Sequence, residues 1–150
     1  MELLAVSGKR PRVTLIFLNM LTLHREAAYA MDFYVQSPAD VDFDPPFTLA
    51  PELPMTVLEL GSGTGMVASR IADKFHNPGR DLIIVTDLPD VCPLLKANLG
   101  GQENLGILVR PLAWGNSEHA LRLASELFPG NDFHPRFLTH IVCNDLVSSY

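Results

Sequence analysis

Glycines alternate with Ser and Thr over residues 61–65, directly after an apolar run that ends in Glu59-Leu60. Glycine tolerates positive φ angles and lets a ligand approach the backbone closely, because it has no Cβ. A glycine-rich turn between a strand and a helix is typical of folds that bind a nucleotide-containing ligand above the turn. We therefore predict a ligand-binding loop whose backbone approaches the ligand at Gly61, Ser62 and Gly63.

The spacing of these glycines separates two classes of ligand. The dinucleotide fingerprint G-x-G-x-x-G requires a third glycine at position 66, which is Met66 here. Glu59, two residues before the first glycine, gives the form E-x-G-x-G-x-G, with which S-adenosylmethionine-dependent enzymes of this fold begin. A carboxylate there would support the loop or contact an amino group of the ligand. The sequence favours S-adenosylmethionine as cofactor over NAD, and an NAD-dependent oxidoreductase is the less favoured alternative.

An acidic residue, Asp87, ends the next apolar run. A carboxylate at that strand end can accept both hydrogen bonds from a ribose diol, which NAD and S-adenosylmethionine both carry. The sequence Asp-Leu-Pro-Asp is also compatible with a helix N-cap, so a purely structural role for Asp87 stays open.

From residue 53 onward, apolar strand-like runs alternate with amphipathic segments, a rhythm typical of βαβ units with a parallel sheet. The predicted strands are residues 55–60, 81–86, 106–112 and 139–145, and the predicted helices are residues 66–75, 90–99 and 118–127. The strands are apolar nearly throughout, as expected when helices cover both faces of a sheet. The sequence predicts a three-layer α/β/α fold of the Rossmann-like type with a mostly parallel sheet.

Three segments are predicted along the chain. They are an N-terminal segment (1–36), a Pro- and Asp-rich linker (37–54) and the ligand-binding unit (55–150). The apolar stretch 13–23 is too short to cross a bilayer as a helix, which needs about 20 residues. No small-residue cleavage site follows it, so we expect a buried strand, a helix or an irregular segment rather than a secretion signal or a membrane anchor.

Composition restricts the partners and the compartment. The 150 residues carry a formal net charge of −6, which disfavours binding to nucleic acid. Cys92 and Cys143 lie in apolar runs far apart, as expected for buried thiols in a reducing compartment, so we predict a cytoplasmic or nuclear protein. The five histidines contain no i, i+4 pair, and we expect no metal site.

Further along the chain, Trp114-Gly115 follows the third predicted strand, and Asn144-Asp145 follows the apolar run of the fourth. Together with the glycine loop, these residues resemble the seven-strand protein methyltransferases, a family that includes many lysine methyltransferases of translation elongation factors and chaperones. The resemblance covers roughly residues 53–150. It implies a S-adenosylmethionine-dependent protein-lysine methyltransferase that acts on a protein substrate, possible examples being translation factors and chaperones.

The resemblance also implies roles for individual residues. Trp114 would lie beside the adenine, although an ordinary core tryptophan is the alternative. Asn144 and Asp145 would lie near the methionine end of the cofactor, and Asp145 is the candidate catalytic residue. The family's Asp-x-x-Tyr motif is incomplete, because Ser148 stands at the tyrosine position, and Arg25 lies at or near an expected tryptophan.

Only the first four core strands of the resembled fold are expected in this chain. The strands that would flank the fourth strand are not found in the sequence, so residues 141–143 are expected to form an open, apolar sheet edge. On this basis the chain resembles a C-terminally truncated methyltransferase. Two hypotheses follow, an active methyltransferase and a catalytically incomplete fragment that binds S-adenosylmethionine or a partner.

Overall fold

The computed structural model describes residues 14–18, 26–44, 46–47, 53–100, 105–127 and 137–144. They form strands and helices in the alternating order expected for a βαβ protein. In chain order the elements are β1 (Thr14–Leu18), α1 (Glu26–Gln36), β2 (Thr56–Leu60), α2 (Met66–Phe75), β3 (Leu82–Asp87), α3 (Cys92–Asn98), β4 (Ile107–Pro111), α4 (Ser117–Leu127) and β5 (His140–Asn144).

The strands form one parallel sheet in the order β1-β5-β2-β3-β4. The chain runs outward from β2 through β3 and β4, and then returns to place β5 on the other side of β2. The strand order therefore reverses between β2 and β5. In open α/β sheets, ligands bind in the crevice outside the carboxyl ends of the strands at such a point.

Two apolar clusters show why the chain forms three layers. On one face of the sheet, side chains from α1, α2 and α3 pack on the strands around Met31, Ile71 and Leu95, all fully buried. On the other face, Leu123 and Leu127 of α4 pack on Leu58 and Ile84. Alternate residues of β2 thus serve opposite faces, as the period of two in a strand requires. The predicted α/β/α class is confirmed.

The edge beyond β5 differs from the expectation. The predicted open edge at residues 141–143 is wrong, because β1 pairs in parallel along β5, with Leu15 opposite Ile141 and Phe17 opposite Cys143. The apolar stretch 13–23 thus contributes a strand at residues 14–18, and its other residues lie outside the described part. A parallel pairing between segments so distant in sequence leaves no local signal, which is why the sequence left strand, helix and irregular structure open.

The four core strands and three following helices are formed where they were predicted, with ends that differ by at most two residues. α1 covers most of the second half of the predicted N-terminal segment, and its buried side chains belong to the same cluster as those of α2. The division of the chain at residues 36 and 54 stays a prediction. No helix within the described residues is long and apolar enough to span a membrane.

Candidate functional site

The site is built at one edge of the sheet. Because all strands are parallel, the loops that follow β2, β3, β4 and β5 leave the sheet at the same edge. The glycine loop, Asp87 and Trp114 follow or end the first three of these strands. The fold therefore brings together predicted residues that lie far apart in the sequence.

The glycine loop has backbone angles that glycine tolerates best. Gly61, Gly63 and Gly65 have φ angles of 66°, 57° and 80°, in the left-handed region that favours glycine. A Cβ added at Gly63 would meet nothing within 4 Å, whereas one at Gly65 would lie 3.1 Å from Cδ2 of Leu95. Gly65 thus allows close packing of α3, while the space above Gly63 is open to a ligand.

The loop also leads into α2 in a way that suits an anion or a polar ligand. Gly65 is the N-cap of α2, and no side chain caps the helix. The first turn of α2 contains no acidic residue. The N–H groups at such a helix start carry partial positive charge and are available to a ligand.

Asp87 is hydrogen-bonded directly to the glycine loop. Its Oδ2 atom accepts the backbone N–H of Gly63 at 2.7 Å, and its Oδ1 atom accepts the N–H of Leu88, also at 2.7 Å. The N-cap of α3 is Val91, and no side chain caps that helix. The carboxylate of Asp87 therefore does not cap α3, and its remaining lone pairs lie beside the open position at Gly63.

A second side chain holds the other half of the loop. The Nδ2 atom of Asn98, at the end of α3, donates to the carbonyl of Thr64 at 2.9 Å. Backbone bonds from Ser62 N–H to the Thr86 carbonyl (3.0 Å) and from Gly65 N–H to the Ser62 carbonyl (2.9 Å) complete the set. Four hydrogen bonds thus fix the loop before any ligand binds.

Glu59 lies beneath the loop and is 1% exposed. Neither its Oε2 atom nor Oγ of Ser62 has a hydrogen-bond partner among the described residues. Burial raises the pKa of Glu59 from 4.5 to about 8, and the charge of Asp87 acts in the same direction, while the nearby Ser62 hydroxyl and Ala68 N–H oppose the rise. Buried polar atoms are normally satisfied, so these two atoms indicate a missing partner at this position.

Trp114 lies on the surface at a second part of the site. It is 58% exposed, which contradicts the alternative of a core tryptophan. An apolar groove of about 580 Å³ lies beside it, lined by Leu60, Leu112, Ile141 and Cys143 among others. This volume lies within the range of small-molecule sites. Leu60 directly precedes the glycine loop, so the groove and the loop adjoin.

Backbone contacts connect these two parts of the site. The N–H of Leu112 donates to the Asp87 carbonyl at 2.8 Å, which places the chain leading to Trp114 next to the end of β3. The N–H of Ala113 then donates to Nδ1 of His119 on α4 at 3.1 Å. The two residues that precede Trp114 are therefore held, one by the end of β3 and the other by α4.

The carboxyl end of β5 forms the last described part of the site. Cys143 pairs with Leu60, so the backbone of Asn144 ends β5 next to the start of the glycine loop. Asp145 and Ser148 lie outside the described residues, as does Arg25. The roles of Asn144 and Asp145 stay predictions. Within the described ranges no group of three or more His, Cys, Asp or Glu side chains could hold a metal ion.

Sequence reasoning missed two residues that position the site, Asn98 and His119. Each acts through one hydrogen bond to a loop backbone, and neither belongs to a recognisable motif. Asn98 does lie near the C-terminal end of a predicted helix, but its partner Thr64 is 34 residues away. Only the packing of α3 against Gly65 brings the two together.

Comparison with solved structures gives distant matches. The CurJ carbon methyltransferase is 26% identical over 44% of this chain and 17% of its own, with a TM-score of 0.35. A LepI variant solved with SAH and a substrate analogue is 17% identical over 69% of this chain and 33% of its own, with a TM-score of 0.36. The chain thus spans a third or less of either structure. No curated protein matches it significantly.

A protein-family model gives a broader match. Residues 25–128, well over half of the chain, match the family described as lysine methyltransferase. This match includes the glycine loop and Trp114, two of the three features on which the predicted resemblance was based, and ends before the third, Asn144-Asp145. The resemblance to lysine methyltransferases is confirmed over these residues, and with it S-adenosylmethionine as the cofactor of the family. The chain belongs to the lysine methyltransferase family.

Proposed function

We propose that this chain binds S-adenosylmethionine across the carboxyl ends of β2, β3, β4 and β5 and transfers its methyl group to a lysine side chain of a protein substrate. The hydrogen bond between Asp87 and Gly63 is the observation that supports this proposal most directly. This bond holds a carboxylate, which would accept hydrogen bonds from the ribose, against the open side of the glycine loop. Family membership supports the same reaction class.

The residues present fit the cofactor. Backbone at Gly61, Ser62 and Gly63 would approach it, and Asp87 would accept hydrogen bonds from the ribose diol. Glu59 and Ser62, whose buried atoms lack partners among the described residues, would meet polar groups of the methionine end or support the loop. Trp114 would form an apolar wall beside the adenine, next to the groove lined by Leu60 and Leu112.

Bound S-adenosylmethionine supplies a methyl group on a positively charged sulfur. In the transfer, the lysine nitrogen forms a bond to the methyl carbon, the carbon–sulfur bond breaks, and its electron pair stays on the sulfur. The protein's task is to hold donor and acceptor in line and to exclude water. The four hydrogen bonds that fix the glycine loop serve this positioning, because they hold the loop rigid before binding.

The acceptor side rests on residues 144–150. Asp145 is the candidate catalytic residue, because a carboxylate near the acceptor amine can orient it or assist loss of its proton. Ser148 replaces the aromatic residue of the family motif, which weakens the acceptor side. A S-adenosylmethionine-binding chain without transferase activity is therefore the second candidate function.

The class of substrate and the compartment are also proposals. The net charge of −6 disfavours nucleic acid and favours a protein substrate, with translation factors and chaperones as the classes implied by the family resemblance. Cys92 and Cys143 are free and buried, in keeping with a reducing compartment such as the cytoplasm or the nucleus.

Calorimetric titration of the purified chain with S-adenosylmethionine tests the proposal. We expect saturable binding, and about tenfold weaker binding by Asp87→Ala, because that variant loses both the ribose acceptor and the partner of Gly63. Asp73→Ala removes an exposed carboxylate on α2 and is the matched control, with unchanged affinity expected.

Two further measurements distinguish a methyltransferase from an oxidoreductase and from a non-catalytic binding protein. NAD should not compete with S-adenosylmethionine, and competition would instead favour the oxidoreductase reading. Incubation with labelled S-adenosylmethionine and a cell extract should label proteins on lysine. Tight cofactor binding without any labelling would identify the chain as a non-catalytic binder, and absence of cofactor binding by a folded sample would overturn the proposal.

A further inference from the structure

An exposed aromatic surface lies on α1 and the segment after it. Tyr29 and Phe33, one helical turn apart, are 62% and 47% exposed. Phe43 packs edge-on against Phe33, with ring centroids 5.8 Å apart, and against Tyr34, at 5.0 Å. We call the exposed surface of Tyr29, Phe33 and Phe43 the aromatic face. Adjacent large aromatic side chains in water are typical of protein interaction sites.

The aromatic face is accompanied by negative charge. The segment that carries Phe43 also carries three exposed aspartates, Asp40, Asp42 and Asp44. No ion pair connects these three carboxylates to a cation of the described residues. Aromatic rings next to unpaired carboxylates match a partner that carries Lys or Arg, because a cation can contact the ring and the carboxylate together.

Two cations of α2 that contact α1 are already engaged. The Nε atom of Arg70 on α2 contacts Oδ1 of Asp32 at 2.6 Å. The Nζ atom of Lys74 donates to the carbonyls of Val35 and Gln36 at the end of α1. These contacts attach α1 to α2 and leave the charge of the three aspartates uncompensated by either side chain.

The same contacts place the aromatic face relative to the candidate site. Asp32 meets Arg70 and Gln36 meets Lys74, so α1 and α2 run in the same direction. α2 begins at the glycine loop, and α1 therefore has its first turns at the level of the site. Tyr29 lies on the turn before Phe33, on the side of the aromatic face that is nearer to the site.

We infer that the aromatic face and its aspartates bind a Lys- or Arg-rich segment of the protein substrate. This inference rests on the proposed function and adds the chemical class of the substrate. The same charge disfavours the other occupants, because a second copy of this acidic chain and a nucleic-acid phosphate would both be repelled. Cationic segments next to a target lysine would gain affinity here without touching the cofactor.

Titration with two synthetic peptides tests the inference. One peptide contains Lys and Arg interspersed with Leu and Val, and its counterpart has Glu at every basic position. We expect wild type to bind the basic peptide and not its acidic counterpart. The variants Tyr29→Ser/Phe33→Ser and Asp40→Asn/Asp42→Asn/Asp44→Asn should each bind the basic peptide about tenfold more weakly than wild type does. The second variant should also show a smaller loss of affinity when salt is added.

Matched controls lie on the opposite face of the sheet. Leu121→Ser removes an apolar side chain that is 70% exposed, and Glu118→Gln removes an exposed carboxylate, both on α4. Neither should change peptide affinity. Circular dichroism establishes whether each variant is folded. A multiple variant that does not fold is replaced by the single change Phe33→Ser or Asp42→Asn.

Parallel titration with S-adenosylmethionine separates the two proposals. Loss of peptide affinity in the aromatic and aspartate variants, with cofactor affinity unchanged, supports the inference. Failure of folded wild-type chain to bind the basic peptide overturns it, while intact cofactor binding in that sample leaves the proposed function standing. If light scattering showed that wild type is a dimer and that Tyr29→Ser/Phe33→Ser is a monomer, the inference would be overturned in favour of a second copy of the chain.

Discussion

Two buried carboxylates at opposite ends of the sheet have opposite surroundings. Asp81, which precedes β3, accepts the backbone N–H groups of Met55 and Asn77 at 2.9 Å and contacts the guanidinium of Arg80 at 2.8 Å. Glu59, at the carboxyl end of β2, keeps an oxygen without a partner among the described residues. Their fractional exposures are almost equal, at 3% and 1%.

The pKa values of the two groups differ in direction for this reason. Burial alone would raise the pKa of Asp81, but Arg80 and the two backbone N–H groups lower it below its usual value. For Glu59, burial dominates and raises the pKa to about 8. A satisfied buried carboxylate stabilises the fold, whereas an unsatisfied one indicates a place where a ligand completes the hydrogen bonding.

Asp81→Ala should have the largest effect on folding. It removes the acceptor for two backbone N–H groups, one of them buried, and the partner of Arg80, so the free energy of unfolding should fall by about 3 kcal/mol. Urea denaturation measures this loss. Asp73→Ala is the control, and a loss as small as in that variant would contradict a structural role for Asp81.

The pH dependence of Asp81 adds a second measurement. Because its folded pKa is lowered, its contribution to stability is present above the unfolded pKa and is lost as pH falls through the folded pKa. The difference in unfolding free energy between wild type and Asp81→Ala should therefore shrink in acid. If this difference stayed constant as the pH is lowered, the shape of Asp81 and not its charge would account for its contribution to stability.

Glu59→Gln should leave the free energy of unfolding within about 0.5 kcal/mol of wild type in acid, because glutamine has the shape of the protonated glutamic acid. Affinity for S-adenosylmethionine should fall about tenfold, if the carboxylate meets a polar group of the cofactor. Calorimetry and urea denaturation of the same samples measure both. Unchanged cofactor affinity would assign Glu59 to the fold alone.

The raised pKa of Glu59 predicts a pH dependence opposite to that of Asp81. Its folded state binds the proton more tightly than the unfolded chain, so its contribution is full below about 4.5 and is lost as pH rises to about 8. Wild type should therefore lose stability relative to Glu59→Gln across this interval. Parallel curves for the two proteins would contradict the raised pKa.

Asn98→Ala should have the smallest effect. Its hydrogen bond to Thr64 is exposed, so the unfolding free energy should change by less than about 1 kcal/mol. Affinity for S-adenosylmethionine should fall about threefold, because the loop is less well held before binding. Ser69→Ala, on the adjoining α2, serves as a control, and an equal loss there would mean that the effect is not specific to the loop contact.

The sequence was sufficient where the physical signal is local. Alternating apolar runs and turn residues predicted the four core strands and three helices, and the run of glycines predicted the turn between the first of these strands and its helix. The position of Asp87 near the glycine loop was also predictable, because the carboxyl ends of parallel strands lie on the same side of the sheet. These features depend on residues that are neighbours in sequence or repeat with a fixed period.

The rest depends on contacts that only the folded chain forms. Nothing local distinguishes an exposed tryptophan from a core one, so Trp114 needed the structure. The bond from Asn98 to Thr64 depends on helix packing, and the partner of β1 lies almost at the other end of the described chain. The sequence therefore gave no reason to place β1 along β5.

The position of β1 has a consequence for the order in which the sheet assembles. β2 pairs with β3, and β3 pairs with β4, which are strands that follow one another in sequence, so these contacts close short loops and form readily. β1 pairs only with β5, the last strand described, and closes a loop that contains every other element. During synthesis β1 leaves the ribosome first and stays unpaired until β5 has followed. We therefore expect the apolar edge of β5 to be covered last among the described strands. A nascent chain should aggregate most readily before this edge is covered.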